Sequence, residues 1–451
     1  MQQLDPRETV KVPATLAAPG AGPFWLAVVL TGFTAGGATV LLTLLLKTVQ
    51  AIAWPAPPDA TLLDAAATAS AWHHVAVLVM AGLITGVGQI TLVRLSSGNS
   101  IDITAAIWFA AGRLPALRTL ASAVLSIVIV GMGAALGREG APKQAGAVFA
   151  NLFASVGRLT DEQRRLLVAC GAGAGMAAAY GVPLGGALFA LEVLRGVLSL
   201  RLVLPALLMS LLATGTAWLV LPNAPTYTIP AYDGSASTLL WVLVAGPIIG
   251  IVSVGVVRAI AWADRNRPRG WLRLALPVAA FGGLGLVAIP FPQLLGNGKD
   301  ISQLAFAGEI AAPLVLVLLV LRPLATFACF GSGAPGGLFT PSLALGALLG
   351  GALGQAWLLV WPGAPPGLFA LLGAGALLAA TTQGPISALV LIMELTGRDR
   401  SFIAPLLLIV ILATVVSRTI ERRSIYEARL SDEQVGRRLA ARDHRPGDSQ
   451  A

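Results

Sequence analysis

Residues 137–144 carry charged side chains whose types and spacing could act on an ion inside a membrane. The stretch reads Gly-Arg-Glu-Gly-Ala-Pro-Lys-Gln, and long apolar runs flank it on both sides. Charged groups at such depth are costly in hydrocarbon unless they face water, protein or an ion. The glycines allow an irregular backbone, and Pro142 suits the first turn of a following helix. We therefore expect a helix that begins inside the membrane with the Glu139 carboxylate at its positive end, which is a place for anions.

The composition indicates the class of protein that holds this stretch. The chain has 451 residues, of which 56% are hydrophobic and 11% are charged, and its mean hydropathy is +0.81. Apolar runs long enough to cross a bilayer recur between residues 24 and 420. The 51 glycines and 29 prolines favour tilted and broken helices, whose freed backbone groups neighbouring protein or a water-filled cavity must satisfy. We predict an all-α polytopic membrane protein.

The charge pattern and the few metal-ligating side chains exclude other classes. The net charge is +9, but the basic residues lie at segment ends, as the positive-inside bias requires, so we expect no nucleic-acid partner. Cys170 and Cys329 lie in apolar runs and are interpreted as core residues. His73, His74 and His444 show no ligand spacing beyond the adjacent pair, so we expect no metal and no cofactor.

The basic residues also predict how the chain is organised across the membrane. We predict two membrane halves with a polar tail on each side, namely 1–23 as N-terminal tail, 24–222, 238–420, and 421–451 as C-terminal helix and tail. Loops that contain no Lys or Arg are expected outside, at 52–72, 222–237 and 361–367. Basic loops are expected in the cytoplasm, at 158–165, 265–273 and 418–442. The prediction is a multi-pass protein of the cell membrane with both termini cytoplasmic.

The two halves share an internal repeat. A pattern of Gly, Ala, Pro and Glu residues from Gly171 to Glu192 recurs without gaps 202 residues later, from Gly373 to Glu394. The shared Pro and Glu favour duplication over chance similarity. A second glycine-rich interruption, residues 336–341, lies in the second half near the place of the first. Two matching interruptions predict a binding site near the midplane, where opposed helix ends meet.

Four short motifs now follow one another along the chain: Ser97-Gly98, Gly137-Arg138-Glu139-Gly140, Gly337-Leu338-Phe339-Thr340-Pro341, and Tyr426 after the last span. Their order and spacing resemble the anion-pathway motifs of the CLC chloride channel and chloride/proton antiporter family, over roughly residues 24–430. The resemblance implies a CLC-type inverted repeat of tilted and broken helices. It also implies a homodimer in the lipid bilayer, each subunit with its own pore for chloride and similar anions, with protons as the second substrate of the antiporters.

The resemblance assigns the anion-binding residues, which are Ser97, Gly98, Arg138, Gly140, Leu338, Phe339 and Tyr426. Helix N-termini supply oriented N–H groups without a full positive charge, which would hold the ion too tightly for transport. Outside this context, Ser97 would be interpreted as a helix cap, Tyr426 as an interfacial aromatic and Leu338-Phe339 as core. The resemblance makes Glu139 the gate, which occupies the anion site when ionised and swings aside when protonated. The alternative is a structural ion pair with Arg138 or Lys143.

Two positions depart from the family and modulate the expected activity. Lys143 stands where the family usually has an apolar residue. It either stabilises the ionised gate, adds to the field that attracts anions, or faces a cytoplasmic vestibule and does neither.

Val193 stands where many family antiporters carry a glutamate that receives protons. The protein is then either a passive voltage- or pH-gated chloride channel, or protons reach Glu139 through water or another group. Glu192, matched by Glu394 in the repeat, is interpreted as structural, in capping or in pairing near the dimer interface.

A different class, an intramembrane hydrolase, remains as a weaker alternative. It would need a Ser or Asp nucleophile with a base in reach, and His73 and His74 are the only bases in the membrane zone. The sequence has no nucleophile motif in a suitable segment. We therefore expect proton-linked transmembrane transport of chloride through a pore that Glu139 gates, and no enzyme activity.

Overall fold

The computed structural model describes residues 21–57, 60–95, 102–232, 234–397, 402–428 and 430–443. These residues are helical apart from their connections and one isolated β-bridge. The first half contains α1 (Ala21–Ala53), α2 (Leu62–Thr68), α3 (Ala71–Leu95), α4 (Ile103–Phe109), α5 (Ala116–Gly131), α6 (Gly140–Val156), α7 (Asp161–Tyr180), α8 (Pro183–Phe189) and α9 (Leu200–Trp218). The second half contains α10 (Ala236–Arg265), α11 (Leu272–Ala288), α12 (Lys299–Ala307), α13 (Ala312–Gly331), α14 (Phe339–Leu358), α15 (Pro366–Thr382), α16 (Pro385–Thr396) and α17 (Ile403–Ile420), and α18 (Asp432–Asp443) follows.

Long apolar helices make this a multi-pass membrane protein. Six helices in the described part of the chain are long and apolar enough to cross a bilayer, and they are α1, α3, α10, α13, α14 and α17. Shorter apolar helices such as α5, α9 and α15 pack among them. The prediction of an all-α polytopic protein with short and broken helices is confirmed.

The helix order repeats between the two halves. In the first half α6 packs on α7 and α1 on α9; in the second, α14 packs on α15 and α10 on α17. The halves also cap each other. The Glu192 carboxylate accepts the N–H groups of Ile386 (3.2 Å) and Ser387 (2.6 Å) at the start of α16. The predicted capping role of this glutamate is therefore confirmed.

Glu394 makes the matching contact in the opposite direction. Its carboxylate accepts the N–H groups of Leu184 (3.0 Å) and Gly185 (2.6 Å), at the start of α8. A carboxylate on the first N–H groups of a helix satisfies donors that have no partner within the helix and complements its dipole. The repeated glutamates thus join the two halves through a reciprocal pair of caps.

The apolar run that begins at Pro183 forms only a short helix. α8 passes into a π-helical turn at Ala190–Arg195 and stops there. Gly196 follows with φ of 72°, a left-handed conformation that glycine adopts without steric cost and that ends the helix. The start of the preceding α7 agrees with the sequence, since Thr160 and Gln163 form a capping box there.

Candidate functional site

The two glycine-rich interruptions meet at the centre of the site. Gly137, in the loop before α6, and Gly337, in the loop before α14, exchange backbone hydrogen bonds with N···O distances of 2.8 and 2.7 Å. They form an isolated antiparallel bridge. Because each loop leads directly into a helix, the bridge brings the N-terminal ends of α6 and α14 together. The predicted meeting of opposed helix ends is confirmed, and the result is a concentration of N–H groups suited to an anion.

The Glu139 side chain lies at this junction and is fully buried. Its Oε1 accepts the backbone N–H of Phe339, the first residue of α14, at 2.7 Å. Its Oε2 accepts the hydroxyl of Thr340 at 3.1 Å and the phenol of Tyr180 at 3.2 Å. The carboxylate therefore occupies a helix N-terminus with three neutral donors around it. A helix N-terminus with such donors can also hold an anion.

This arrangement requires glycine at both positions of the bridge, 137 and 337. A Cβ atom built on Gly337 would lie 1.9 Å from Glu139 Oε1, and one on Gly137 would lie 2.2 Å from Oε2. Both distances are far shorter than any non-bonded contact, so a side chain at either position would displace the carboxylate. The bridge thus consists of the residues that let a carboxylate approach the backbone this closely.

The hydroxyls of Tyr180 and Thr340 are site groups that the sequence analysis did not assign. Tyr180 is the last residue of α7, and its phenol oxygen also lies 2.7 Å from Thr340 Oγ1. Each hydroxyl has a single hydrogen, so either both donate to Glu139 Oε2, or one donates to Oε2 while the other donates to its neighbouring hydroxyl. A signal for Thr340 existed, since it follows Phe339 in a recognised motif. Tyr180 carried no signal beyond a polar aromatic at the end of an apolar run.

The Arg138 guanidinium contacts the end of α7. Its Nη2 donates to the carbonyl of Ala179 at 3.2 Å, and its guanidinium lies 5.1 Å from the centroid of the Tyr180 ring. Among the described residues it forms no salt bridge with Glu139, so the alternative of a structural ion pair between these two is wrong. Arg138 therefore contacts the tyrosine that donates to the Glu139 carboxylate, while its predicted contact with an anion stays a prediction.

A cavity of about 80 Å³ adjoins the junction. Its lining includes four residues that the sequence analysis named, which are Gly140, Lys143, Leu338 and Tyr426. A second cavity of about 290 Å³ shares Gly140 and Gly336 with the first and is also lined by Arg267 and Arg273. Those arginines belong to a loop predicted to be cytoplasmic, and Gly140, which lines both cavities, directly follows Glu139 in the chain. Ser97 and Gly98 lie outside the described residues.

Position 193 offers no group that could carry a proton. Val193 is buried, and the Glu192 carboxylate beside it is engaged by the α16 backbone. The Val193 carbonyl accepts a hydrogen bond from Arg438 Nη2 at 2.8 Å. Arg438 reaches it from α18 and pairs with Glu427 at 2.8 Å, and both side chains are about 1% exposed. The C-terminal helix α18 therefore contacts the first half at the π-helical turn Ala190–Arg195.

Replacing Arg438 with methionine is expected to lower the melting temperature of the detergent-solubilised protein. The change leaves the Glu427 carboxylate buried without its partner, which typically costs about 3–5 kcal/mol, whereas changing both members of a pair costs much less. The double variant Arg438→Met/Glu427→Gln should therefore melt above the single variant. Equal melting of Arg438→Met and wild type would show that the pair does not stabilise this end.

The two membrane-zone histidines do not resemble a hydrolytic base. His73 Nε2 lies 2.7 Å from the carbonyl oxygen of Ala53, and His74 Nδ1 lies 3.0 Å from that of Ser70. Both rings pack edge-on against Trp54. In the described ranges neither imidazole hydrogen-bonds a hydroxyl or carboxylate side chain, as the base of a nucleophile pair would.

Comparison with known proteins gives one family. The voltage gated chloride channel family matches residues 81–418. The chain is 34% identical over 318 residues to the voltage-gated ClC-type chloride channel ClcB of Citrobacter koseri, covering 68% of this chain and 75% of that protein. It is 33% identical over 396 residues to a putative chloride channel protein ClcB-like of Ralstonia nicotianae, covering 84% and 90%. It is 32% identical over 338 residues to the H(+)/Cl(-) exchange transporter ClcA of Cronobacter sakazakii, covering 70% of each.

Solved structures share the architecture. A slow cyanobacterial Cl-/H+ antiporter superposes with a TM-score of 0.79 at 23% identity, covering 93% of this chain and 99% of that one. A CLC-type fluoride/proton antiporter superposes with a TM-score of 0.71 at 22% identity, covering 90% and 97%. At these identities the likeness establishes the fold, and it confirms the predicted CLC-type architecture.

Proposed function

This chain belongs to the voltage gated chloride channel family, and from that premise we propose that it carries chloride across a membrane through a proton-linked pathway gated by Glu139. The observation that carries the proposal is the buried Glu139 carboxylate on the N–H of Phe339, at the first turn of α14. An anion and the carboxylate compete for the same donors, so only one of them can occupy the site. Passage of the anion therefore requires the carboxylate to leave.

Protonation weakens the interactions that hold the Glu139 carboxylate in the site, and this allows the side chain to leave. Hydrogen bonds to an ionised acceptor are roughly twice as strong as those between neutral groups. A protonated Glu139 would keep only weak interactions with Phe339, Thr340 and Tyr180, and a chloride ion arriving at the α14 N-terminus could displace it. The proton taken up by the side chain and the anion that replaces it are thus linked by competition for one site.

Because Val193 cannot deliver a proton, we propose that protons reach Glu139 through the cavities beside Gly140. Relatives whose names describe H(+)/Cl(-) exchange support proton linkage. The specific observation that favours a second function, a passive gated chloride channel, is the buried valine at position 193. In that case Glu139 opens and closes the pathway without stoichiometric proton transfer.

We further propose a homodimer in the cell membrane with both termini in the cytoplasm, each subunit with its own pathway. Support comes from the family and from the basic residues, which concentrate in the loops predicted to be cytoplasmic. Chloride is the substrate in this proposal, the lipid bilayer and the second subunit are the partners, and no cofactor and no catalytic residue take part.

Chloride efflux from liposomes tests the proposal. Purified protein is reconstituted with potassium chloride inside, valinomycin is added, and chloride appearing outside is measured with a chloride electrode. We expect efflux well above that of protein-free liposomes, and equal efflux from the His73→Ala/His74→Ala variant, which removes the bases that a hydrolase would need. Efflux no faster than from protein-free liposomes would contradict anion transport.

A further inference from the structure

Lys143 lies one helical turn after Glu139, in the first turn of α6, and it is only 5% exposed. Its backbone N–H donates to the Glu139 carbonyl at 3.3 Å, so both residues belong to the same continuous turn. The side chains diverge, because Glu139 reaches the start of α14 whereas Lys143 reaches Tyr426. A lysine this deeply buried is costly unless its charge is compensated by its surroundings.

Aromatic rings surround the Lys143 ammonium group. Its Nζ lies 3.4 Å from the Tyr426 phenol oxygen and 4.5 Å from the centroid of that ring. The same atom lies 5.3 Å from the centroid of the Phe189 ring, and the two rings pack edge to face. Aromatic faces attract an ammonium group, and more strongly when both are removed from water. The ammonium group is therefore held between two rings at the edge of a cavity.

The Lys143 side chain lines a cavity in which its charge can attract an anion. Lys143 and Tyr426 both line the 80 Å³ cavity, together with Gly140 and Leu338 at the ends of the broken helices. Asp102 lines it as well, with Oδ1 accepting the N–H of Ala105 at 2.8 Å to cap α4. An anion beside the Tyr426 hydroxyl would lie within a few ångströms of the Lys143 ammonium group. Such a pathway is expected to bind its anion with helix dipoles alone. Here the Lys143 ammonium group adds a full positive charge.

We propose that the Lys143 ammonium group, clamped by the Tyr426 and Phe189 rings, is a direct anion-binding charge of the transport pathway and sets its affinity for chloride. The inference rests on the proposed function and adds to it a specificity-determining residue. A full charge attracts every small anion, so it raises affinity more than it distinguishes one halide from another. It also slows release, since an ion held by a buried charge leaves less readily than one held by dipoles.

The test is chloride binding to the purified full-length protein, measured by isothermal titration calorimetry. Three proteins are compared: wild type, Lys143→Met, which keeps the length of the side chain without its charge, and Lys143→Arg, which keeps the charge. We expect Lys143→Met to weaken chloride binding by about tenfold or more, because opposite charges a few ångströms apart attract strongly at the effective dielectric of a protein. Lys143→Arg is expected to remain within about threefold of wild type, since guanidinium also binds aromatic faces.

Each result decides between the inference and its alternatives. Binding by Lys143→Met equal to wild type would overturn the inference, as would an equal loss in the arginine and methionine variants, because charge would then not be the cause. Elution and melting temperature like wild type show that each variant is folded before it is titrated. An absence of chloride binding by wild type, together with an absence of chloride efflux, would overturn the proposed function and this inference with it.

Discussion

Replacing Glu139 with glutamine is expected to abolish proton movement and to leave a chloride flux that no longer responds to pH. Glutamine has the shape of the protonated side chain but cannot ionise. Hydrogen bonds to charged groups contribute about 1.5–3 kcal/mol and those between neutral groups about 0.5–1.5 kcal/mol. The wild-type carboxylate has three donor groups within hydrogen-bond distance at the start of α14, so in its ionised form it holds the site against chloride far better than the amide does.

The measurement is chloride efflux from liposomes over a series of pH values. Wild-type flux should rise as the pH falls, because protonation removes the charge that holds Glu139 on Phe339. The glutamine variant should be equally fast at every pH. Glu394→Gln is the matched control, since that glutamate caps α8 and not α14, and it should keep the pH response. A wild-type pH response in Glu139→Gln would remove this residue from the gate.

Removing the hydroxyls of Tyr180 and Thr340 is expected to open the gate more often. Each donates to Glu139 Oε2, and a hydrogen bond to a charged group is worth about 1.5–3 kcal/mol. Because about 1.4 kcal/mol corresponds to a tenfold change in an equilibrium, Tyr180→Phe and Thr340→Ala should each raise chloride flux at neutral pH by roughly tenfold. The conservative variant Thr340→Ser keeps the hydroxyl and should stay close to wild type.

A double-mutant cycle separates this effect from a general loosening of the site. In the Glu139→Gln background no ionised carboxylate remains, so Tyr180→Phe and Thr340→Ala should have little further effect on flux. An equal acceleration in both backgrounds would mean that the hydroxyls act on the width of the pathway instead. The combined Tyr180→Phe/Thr340→Ala change should be less than additive, because the two hydroxyl oxygens lie 2.7 Å apart and one can donate its hydrogen to the other instead of to Glu139.

Much of the fold and the centre of the site could be predicted from the sequence, because their signals are local. Apolar runs reveal membrane helices, and glycine-rich interruptions with a charged residue reveal where helices break inside the membrane. Glu139 stands out for that reason, and the repeated Glu192 and Glu394 stand out as structural. The packing partners could not be predicted in the same way. Tyr180 reaches Thr340 across 160 positions of sequence, and nothing at either position indicates the other.

The C-terminal helix shows the same limit. Arg438 looks like one of many basic residues in a charged tail, yet it is buried on the Val193 carbonyl and paired with Glu427. The sequence shows that Lys143 departs from the family, but the anion-binding role that we propose for it depends on which rings surround its ammonium group. Only the three-dimensional arrangement places Tyr426 and Phe189 about that ammonium group.

The central claim is that protons and chloride share the Glu139 site, and one measurement on wild-type protein tests it most directly. Liposomes are given an outward chloride gradient, the membrane potential is clamped with valinomycin and potassium, and the external pH is followed. The account predicts that chloride leaving the liposomes drives protons inward, so that the external medium becomes alkaline. Rapid chloride efflux with no change in external pH would contradict it, and would identify a passive channel in which Val193 marks the missing proton route.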